Sequence, residues 1–272
     1  MSESNRELEQ IIKYMKAHWP SQVKPEWQVG LAEYSAILEQ AVKDFTLSAT
    51  KNHRLIRIAG ISGSGKTTQI LPAVEAYCKK NNYEPILMAA RRFIEYHPHF
   101  QEIKEYYGDE NLRKNTDEFA TIMLFLTLSE LIKGGYDILL DVTLLDPEME
   151  SILLKLLKAG NYEMLILMIA VSPTVTEQYL SGRAWRHTKE TEQEFIRATD
   201  KALEFYANNA PDTHIILWSV YDKSPIYDGP IVNCRTTFDK YSTCADLPKK
   251  DDDARREAKI EYLTNLTTTD SD

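Results

Sequence analysis

A short glycine- and serine-rich stretch contains the residue types that bind a phosphate chain. It fits the pattern G-x-x-x-x-G-K-[ST] and consists of Gly60, Ile61, Ser62, Gly63, Ser64, Gly65, Lys66 and Thr67, with Thr68 adjoining. Glycines allow the backbone to fold around an anion with its N–H groups pointing inward, and a helix that begins here adds its positive dipole end. An ordinary Gly/Ser turn is the alternative, but the motif lies between a predicted strand and a predicted helix, as nucleotide binding requires.

The chemistry of this loop depends on Lys66 and Thr67. Lys66 would reach the β- and γ-phosphates of a nucleoside triphosphate and act as a catalytic residue. The Thr67 hydroxyl would hold the Mg²⁺ ion that bridges the same phosphates. The spacing therefore predicts a site for ATP or GTP with Mg²⁺, and it favours transfer of the terminal phosphoryl group to a small molecule.

A carboxylate is expected beside the loop to organise the metal, and Asp141 is the candidate. It ends the apolar segment 138–141 (ILLD), which reads as a strand. The carboxyl edge of a parallel sheet is where ligands bind in α/β folds. Asp141 is therefore predicted to be a catalytic residue and a metal ligand. The alternative is an Asp that caps a turn at the end of a strand.

Arginines that could neutralise the charge of a moving phosphoryl group occur downstream. Arg183, Arg186 and Arg197 lie in or beside a polar, helix-flanked segment, SGRAWRHTKETEQEFIRATDK. A small kinase carries its lid over the phosphates at this point of the topology. The alternative, for each of these arginines taken alone, is an ordinary charged side chain on the protein surface.

The elements that must position these residues alternate between strands and helices. Strands are predicted at 54–59, 85–89, 137–142, 162–171 and 213–220, and helices at 66–80, 99–107, 117–133, 146–158 and after Pro173. This alternation predicts an α/β fold of the P-loop NTPase type, with a mostly parallel sheet flanked by helices on both faces.

Three segments are expected along the chain. Residues 1–50 form a helical segment for packing or protein contact, with Pro20 and Pro25 between its two helices. Residues 51–232 form the P-loop kinase-like domain. Residues 233–272 form a charged C-terminal segment, read as a solvated helix with a partly flexible end.

Composition excludes several classes of protein. The 272 residues carry a net charge of −9, which argues against broad nucleic-acid binding because that needs a basic face. The longest apolar run, 164–171, is too short to span a bilayer, and the N-terminus does not read as a secretion signal. The three cysteines have no metal-ligand spacing and are expected to be reduced. A cytoplasmic protein without a membrane partner is expected.

Several stretches together resemble the zeta toxin family, kinases of toxin–antitoxin systems that phosphorylate the sugar of UDP-N-acetylglucosamine. Residues 93–100 (FIEYHPHF) resemble the family's F-x-x-x-H-P-N-F segment, and 135–143 (GYDILLDVT) resemble its strand G-Y-x-h-h-h-E-G-T, where h is apolar. Tyr162 with 170–171 (AV) matches a later strand, and 197–199 (RAT) matches a segment around a catalytic arginine. The resemblance runs from about residue 55 to residue 203.

The resemblance implies roles for several residues. Arg183 and Arg197 would steady the γ-phosphate in the transition state, and Asp141 and Thr143 would face the sugar nucleotide. His97 of the H-P pair and Arg91 are further candidates for contact with the acceptor. A toxin of this kind would also be partnered by a small antitoxin protein, and residues 1–50 could instead carry a built-in inhibitory element.

The sequence departs from the family on the acceptor side. The family's general base is an Asp just before the Phe of F-x-x-x-H-P, and Arg91 stands at that place. A family Glu falls near Leu124 or Phe125, and a family Arg falls at Leu145. Asp141, or less readily His97, could serve as base, while Arg91 could bind an acidic acceptor or pair with Asp141 and block the site.

Three functions remain open at this point. The first is a kinase of a small hydroxyl compound, with UDP-N-acetylglucosamine as the acceptor that the resemblance implies. The second is a catalytically weakened nucleotide-binding protein that acts by holding a partner. The third is a kinase of another hydroxyl compound, such as an antibiotic or an amino sugar, with the same donor chemistry.

Overall fold

The computed structural model describes residues 23–179, 189–244 and 252–266, together with Glu9, Ile12, Lys13, Lys16 and Ala17. The predicted arginines Arg183 and Arg186 lie outside these ranges. A single mixed sheet runs through the described part of the chain, and its helices pack on both faces.

The sheet has six strands in the order β2-β3-β1-β4-β5-β6. Their bounds are β1 Arg54–Ala59, β2 Ile86–Met88, β3 Ile138–Asp141, β4 Glu163–Ala170, β5 His214–Ser219 and β6 Tyr227–Pro230. The first five are parallel to one another, and β6 runs antiparallel to β5 at the edge. The predicted mostly parallel α/β sheet is therefore confirmed.

Nine α-helices lie in the described part of the chain. They are α1 Leu31–Phe45, α2 Leu71–Lys80, α3 Phe100–Tyr107, α4 Asp109–Lys133, α5 Pro147–Ala159, α6 Pro173–Tyr179, α7 Lys189–Asn209, α8 Arg235–Ser242 and α9 Asp252–Asn265. A π-helical turn, Lys66–Ile70, leads into α2, and short 3-10 helices occur at Pro25–Trp27, Ala90–Tyr96 and Ile231–Asn233. None of the helices in these ranges is long and apolar enough to cross a membrane.

Apolar strand residues explain why helices cover both faces of the sheet. On one face, strand residues such as Ile58 and Trp218 pack with α2 and α9. On the other face, Leu140 packs with α1, α4 and α5, and Met168 packs with α7 and α8. Strands buried on both faces read as continuous apolar runs, as these do.

Two helices show how local sequence sets their ends and their packing. Asp146 caps α5, because its Oδ1 accepts hydrogen bonds from the amides of Glu148 and Met149, as the predicted Asp-Pro start requires. Helix α1 packs through Tyr34, which is 2% exposed and stacks on Phe119 of α4 with ring centroids 5.7 Å apart. The predicted second helix of the N-terminal segment thus packs on the sheet domain.

Candidate active site

A cavity of about 720 Å³ opens at the carboxyl ends of the parallel strands. Residues 60–69 of the glycine-rich loop line it, as do residues 89–91 after β2 and 141–143 after β3. Helices α4 and α9 complete its walls. This is the edge of the sheet where ligands bind in α/β folds, and the cavity has the size of a nucleotide or cofactor site.

The glycine-rich loop has a backbone that only glycine adopts readily. Gly60 has φ +138° and Gly65 has φ +98°, both in the left-handed region. A Cβ atom at Gly60 would lie 2.8 Å from Ser64 Oγ and 3.1 Å from the Ile169 carbonyl oxygen of β4. The motif glycines are therefore required by the backbone conformation and by the close packing of the loop on the sheet.

Lys66 and Thr67 stand at the start of the π-helical turn and line the cavity. Lys66 is half-buried, and its Nζ donates hydrogen bonds to the carbonyl oxygens of Gly60 at 2.6 Å and Ile61 at 3.1 Å. Thr67 is exposed. A widened turn of this type is common at functional sites, and here it begins at the lysine of the motif.

Asp141 lies at the end of β3, beside the strand that leads into the loop. It is in register with Ile58 of β1, and its side chain is 6% exposed. Its Oδ2 atom accepts a hydrogen bond from Arg91 Nη1 at 2.9 Å. Arg91, whose side chain is 49% exposed, therefore forms an ion pair with Asp141 inside the cavity, which is one of the two roles predicted for it.

Helix α4 contributes polar residues that the sequence reasoning did not identify. Arg113, Asp117 and Thr121 line the cavity from successive turns of its N-terminal half. Arg113 Nε lies 3.5 Å from Asp117 Oδ1. Burial raises the pKa of the Asp117 carboxyl, against the opposing effect of Arg113. The spacing of i, i+4 and i+8 places these three residues on one helix face and could have identified them. The sequence predicted that the helix begins only at Asp117, so this spacing was not recognised.

A buried ion pair lies beneath the loop that follows β3. Arg57 of β1 and Glu150 of α5 are each 1% exposed and are joined by two hydrogen bonds, of 2.6 and 2.9 Å. Tyr206 of α7 donates a hydrogen bond to Glu150 at 2.7 Å. All the charged atoms are thus matched inside the protein, which a buried pair requires.

This ion pair holds the backbone of residues 142–145. Arg57 donates hydrogen bonds to the carbonyl oxygens of Val142 at 3.0 Å and Thr143 at 2.5 Å. Glu150 accepts one from the Leu145 amide at 2.6 Å. Thr143 lines the cavity beside Asp141, and its buried Oγ1 has no hydrogen-bond partner among the described residues. The predicted Thr143 is thus fixed at the site with an unused hydroxyl.

Two predicted site residues do not line this cavity in the described part of the chain. His97 is 4% exposed, accepts a hydrogen bond on Nδ1 from the His99 amide at 3.1 Å and packs against Phe119. Burial lowers its pKa to about 4, so it is a neutral, structural imidazole at pH 7. Arg197 is exposed on α7. The predicted catalytic Arg183 lies outside the described residues.

The C-terminal segment forms a helix, as predicted, but the expectation that it is solvated needs correction. Arg255, Arg256 and Lys259 of α9 line the cavity, and Leu263 packs in the core against α2. The high charge of α9 suggested a solvated helix, but three of its charged side chains form part of the cavity wall. The local sequence does not mark these three residues as a set, because positions i and i+1 do not share a helix face.

The oxygen donors at the loop suit a hard cation such as Mg²⁺. Thr67 offers a hydroxyl and Asp141 a carboxylate, both on the cavity. Within the described ranges there is no cluster of three or more His, Cys, Asp or Glu residues that could hold a metal. This donor set fits an ion that arrives with nucleotide phosphates and not one bound by the protein alone.

Comparison with known proteins identifies a family to which the chain is similar. A family model described as zeta toxin matches residues 39–225. Toxin PezT of Streptococcus pneumoniae serotype 4 (strain ATCC BAA-334 / TIGR4) is 26% identical over 152 residues, which are 55% of this chain and 57% of that protein. The matched region thus spans little more than half the length of this relative.

The fold has a counterpart among solved structures. A chain from the PezAT chromosomal toxin–antitoxin system of Streptococcus pneumoniae has a TM-score of 0.64 and 19% identity, covering 87% of this chain and 98% of that one. The phosphate loop, the strand order and the family match lead to one conclusion. The chain belongs to the zeta toxin family and has its P-loop kinase-like fold.

Proposed function

We propose that this protein is a kinase that transfers the γ-phosphoryl group of ATP or GTP to a hydroxyl group of a small molecule. One observation carries the proposal: a single cavity joins the Lys66 loop to the polar end formed by Arg91, Asp141 and Thr143. A phosphoryl donor and an acceptor that share one cavity can react directly, because phosphoryl transfer depends mainly on positioning and charge neutralisation.

The donor end is supported by the loop geometry. Positive-φ glycines leave room for a phosphate chain, and Lys66 offers its ammonium group from the first helical turn. Mg²⁺ would be held by Thr67 and by Asp141 beside it, and it would neutralise phosphate charge. Arg183 keeps the role that the family resemblance implies, which is to steady the γ-phosphate. Arg197 is exposed on α7 and does not line the cavity, so it would have to reach the γ-phosphate from outside it.

The acceptor end favours an anionic molecule. Arg91 and Arg113 both line the cavity, and arginine binds phosphates and carboxylates in a bidentate manner. A sugar nucleotide such as UDP-N-acetylglucosamine, the acceptor of the family, carries a diphosphate that would suit two arginines. Its sugar hydroxyl would lie toward Thr143 and the γ-phosphate.

The proton of the acceptor hydroxyl needs a base other than the family's Asp. Asp117 is the better candidate, since it lines the same cavity, its pKa is raised by burial, and its contact with Arg113 at 3.5 Å is longer than the 2.9 Å contact of Asp141 with Arg91. Its carboxylate would accept the hydroxyl proton while the hydroxyl oxygen forms a bond to the γ-phosphorus. The bond to the β–γ bridging oxygen breaks, and ADP or GDP leaves.

A partner protein is also proposed. The relative is called a toxin and the similar structure comes from a toxin–antitoxin system, which supports an antitoxin as partner of this chain. The N-terminal segment, residues 1–50, is one region that such a partner could contact.

The test is acceptor-dependent turnover. The purified protein is incubated with Mg-ATP or Mg-GTP and a panel of sugar nucleotides, amino sugars and aminoglycosides, while ADP or GDP release and product mass are followed. Nucleoside diphosphate formation that requires one acceptor and is lost in Lys66→Ala supports the proposal. Nucleotide binding without turnover on any acceptor would favour the second candidate, a nucleotide-binding protein that acts through a partner. The Arg91–Asp141 ion pair is the observation that favours this alternative.

A further inference from the structure

Helix α9 forms one wall of the cavity, although it lies beyond the residues that match the family model. Arg255, Arg256 and Lys259 line the cavity from this helix. Arg255 is 5% exposed and Lys259 is 1% exposed. Two cationic side chains are therefore removed from bulk water at the wall of a cavity. Arg255 forms an ion pair with Asp252 on the same helix, with Nη2 2.6 Å from Oδ1.

The helix is attached firmly to the phosphate loop's own helix. Gln69 Nε2, two residues after Thr67, donates a hydrogen bond to the Asp252 carbonyl oxygen at 3.0 Å. Leu263 is 2% exposed and packs in the same apolar cluster as Ile70. The position of α9 relative to the loop is thus fixed by contacts along its length.

Lys259 lacks the anionic partner that a buried ammonium group requires. Its Nζ donates a hydrogen bond of 3.4 Å to the Arg255 carbonyl oxygen, and no carboxylate of the described residues lies within ion-pair distance. Burial, followed by the charge of Arg255, lowers the pKa of Lys259 to about 8, while Asp222 and Asp252 act against this. A buried charge is unfavourable unless an anion compensates it, so this wall of the cavity suits a bound anion.

We propose that α9 is part of the nucleotide-binding site and that Lys259, supported by Arg255, binds a phosphate of the bound nucleoside triphosphate. This inference rests on the proposed function only in its choice of ligand. The family's phosphate loop supplies one part of the site, and the C-terminal helix, which packs beside the start of the loop's helix, supplies a second set of cations. Residues outside the matched segment then contribute directly to nucleotide affinity.

The test compares Lys259, which lies on α9, with Lys80, which contacts α9 from α2. The dissociation constant of Mg-ATP is measured by titration calorimetry for the wild type, Lys259→Met and Lys80→Met. Lys80 is exposed, donates a hydrogen bond to the Thr264 carbonyl oxygen of α9 and does not line the cavity, so it controls for charge and helix attachment. We expect the constant to rise at least tenfold in Lys259→Met and less than twofold in Lys80→Met. Equal constants in the wild type and Lys259→Met would overturn the proposal.

A pH profile of the wild type keeps the test independent of any variant's folding. Lys259 is charged below its pKa and neutral above it, so the dissociation constant should rise several-fold between pH 7 and pH 9. The charged groups that act on Lys259 are Arg255 and Asp252 on α9 and Asp222 after β5. A wild-type constant that stays flat from pH 7 to pH 9 would contradict the proposal.

Binding also separates this inference from the proposed kinase activity. If the wild type binds Mg-ATP, Lys66→Ala weakens binding and Lys259→Met does not, the C-terminal helix is excluded while the phosphate loop stands. If Lys259→Met weakens binding in a protein that transfers phosphate to no acceptor, the helix contact holds and the kinase proposal fails. Lack of Mg-ATP binding by the wild type would overturn both.

Discussion

Arg91 Nη1 lies 2.9 Å from Asp141 Oδ2, so residues that follow two neighbouring strands, β2 and β3, form an ion pair within the cavity. By the sequence resemblance, Arg91 stands where the zeta toxin family would have the Asp that serves as its general base. The replacement puts a cation where a carboxylate would stand and uses Asp141 to neutralise it. The proposed acceptor end of the site is therefore built around this pair.

Removing Arg91 should affect the acceptor and not the donor. We expect Arg91→Ala to raise the KM for the acceptor at least tenfold, about 1.4 kcal/mol, with the Mg-ATP dissociation constant unchanged within twofold. Arg54→Ala, at the start of β1, is the matched control. The Arg54 side chain is also 49% exposed and lies 3.7 Å from a carboxylate, that of Glu163. Both should lose about 1 kcal/mol or less of unfolding free energy. A weaker Mg-ATP affinity with an unchanged acceptor KM would contradict this role.

Asp117 should carry the proton transfer. We expect Asp117→Asn to lower kcat by about 10²–10⁴-fold without changing Mg-ATP affinity. In the wild type kcat should rise with pH as the carboxyl, whose pKa is raised by burial, loses its proton. Asp109→Asn at the exposed start of the same helix is the control and should leave kcat unchanged. Full activity in Asp117→Asn with a loss confined to Asp141→Asn would assign the base to Asp141 instead.

The buried pair of Arg57 and Glu150 should dominate the stability of the loop below the cavity. Glu150→Gln leaves a buried guanidinium without its counterion, so we expect the free energy of unfolding to fall by about 3–5 kcal/mol. Urea denaturation measures this, with Glu148→Gln, exposed on the same helix, as control. A change below about 1 kcal/mol would show that the pair does not hold residues 142–145 in place.

His97 should make the protein less stable in mild acid. Its pKa is about 4 in the folded state and about 6.5 in the unfolded chain, so the unfolded state binds more protons between these values. Stability contributed by the neutral imidazole is present above pH 6.5 and is lost as pH falls, by about 2 kcal/mol between pH 7 and pH 5. Urea denaturation at pH 7 and pH 5 measures this loss in both proteins. Between these pH values the free energy of unfolding should fall by about 2 kcal/mol less in His97→Gln than in the wild type. Identical losses in the two proteins would exclude His97 as the source.

The positions of the glycine-rich loop and of Asp141 at one edge of the sheet could be predicted from sequence because their signals are local. The phosphate loop occupies eight consecutive residues, and Asp141 ends an apolar strand that the sheet places beside β1. The strand positions followed from apolar runs for the same reason. The N-terminal two turns of α4 were missed because residues 109–116 are mostly polar and show no apolar period.

The rest of the site depends on contacts between distant parts of the chain. Arg57 and Glu150 are 93 residues apart, and each reads alone as a surface charge. The charged sequence of α9 likewise suggested solvation, since nothing local shows that Lys259 meets the cavity. Strand β6 was missed because Gly229 and Pro230 are typical of turns, and proline is tolerated in a sheet only at edges such as this one.

The fate of the γ-phosphate of ATP tests the central claim most directly. The protein is mixed in excess over γ-labelled Mg-ATP with a sugar nucleotide acceptor, and the label is followed through a single turnover. The account predicts that the label passes to the acceptor, with little inorganic phosphate formed, and that Lys66→Ala abolishes the transfer. Label that stays on ATP, or that appears only as inorganic phosphate with every acceptor tested, would contradict it.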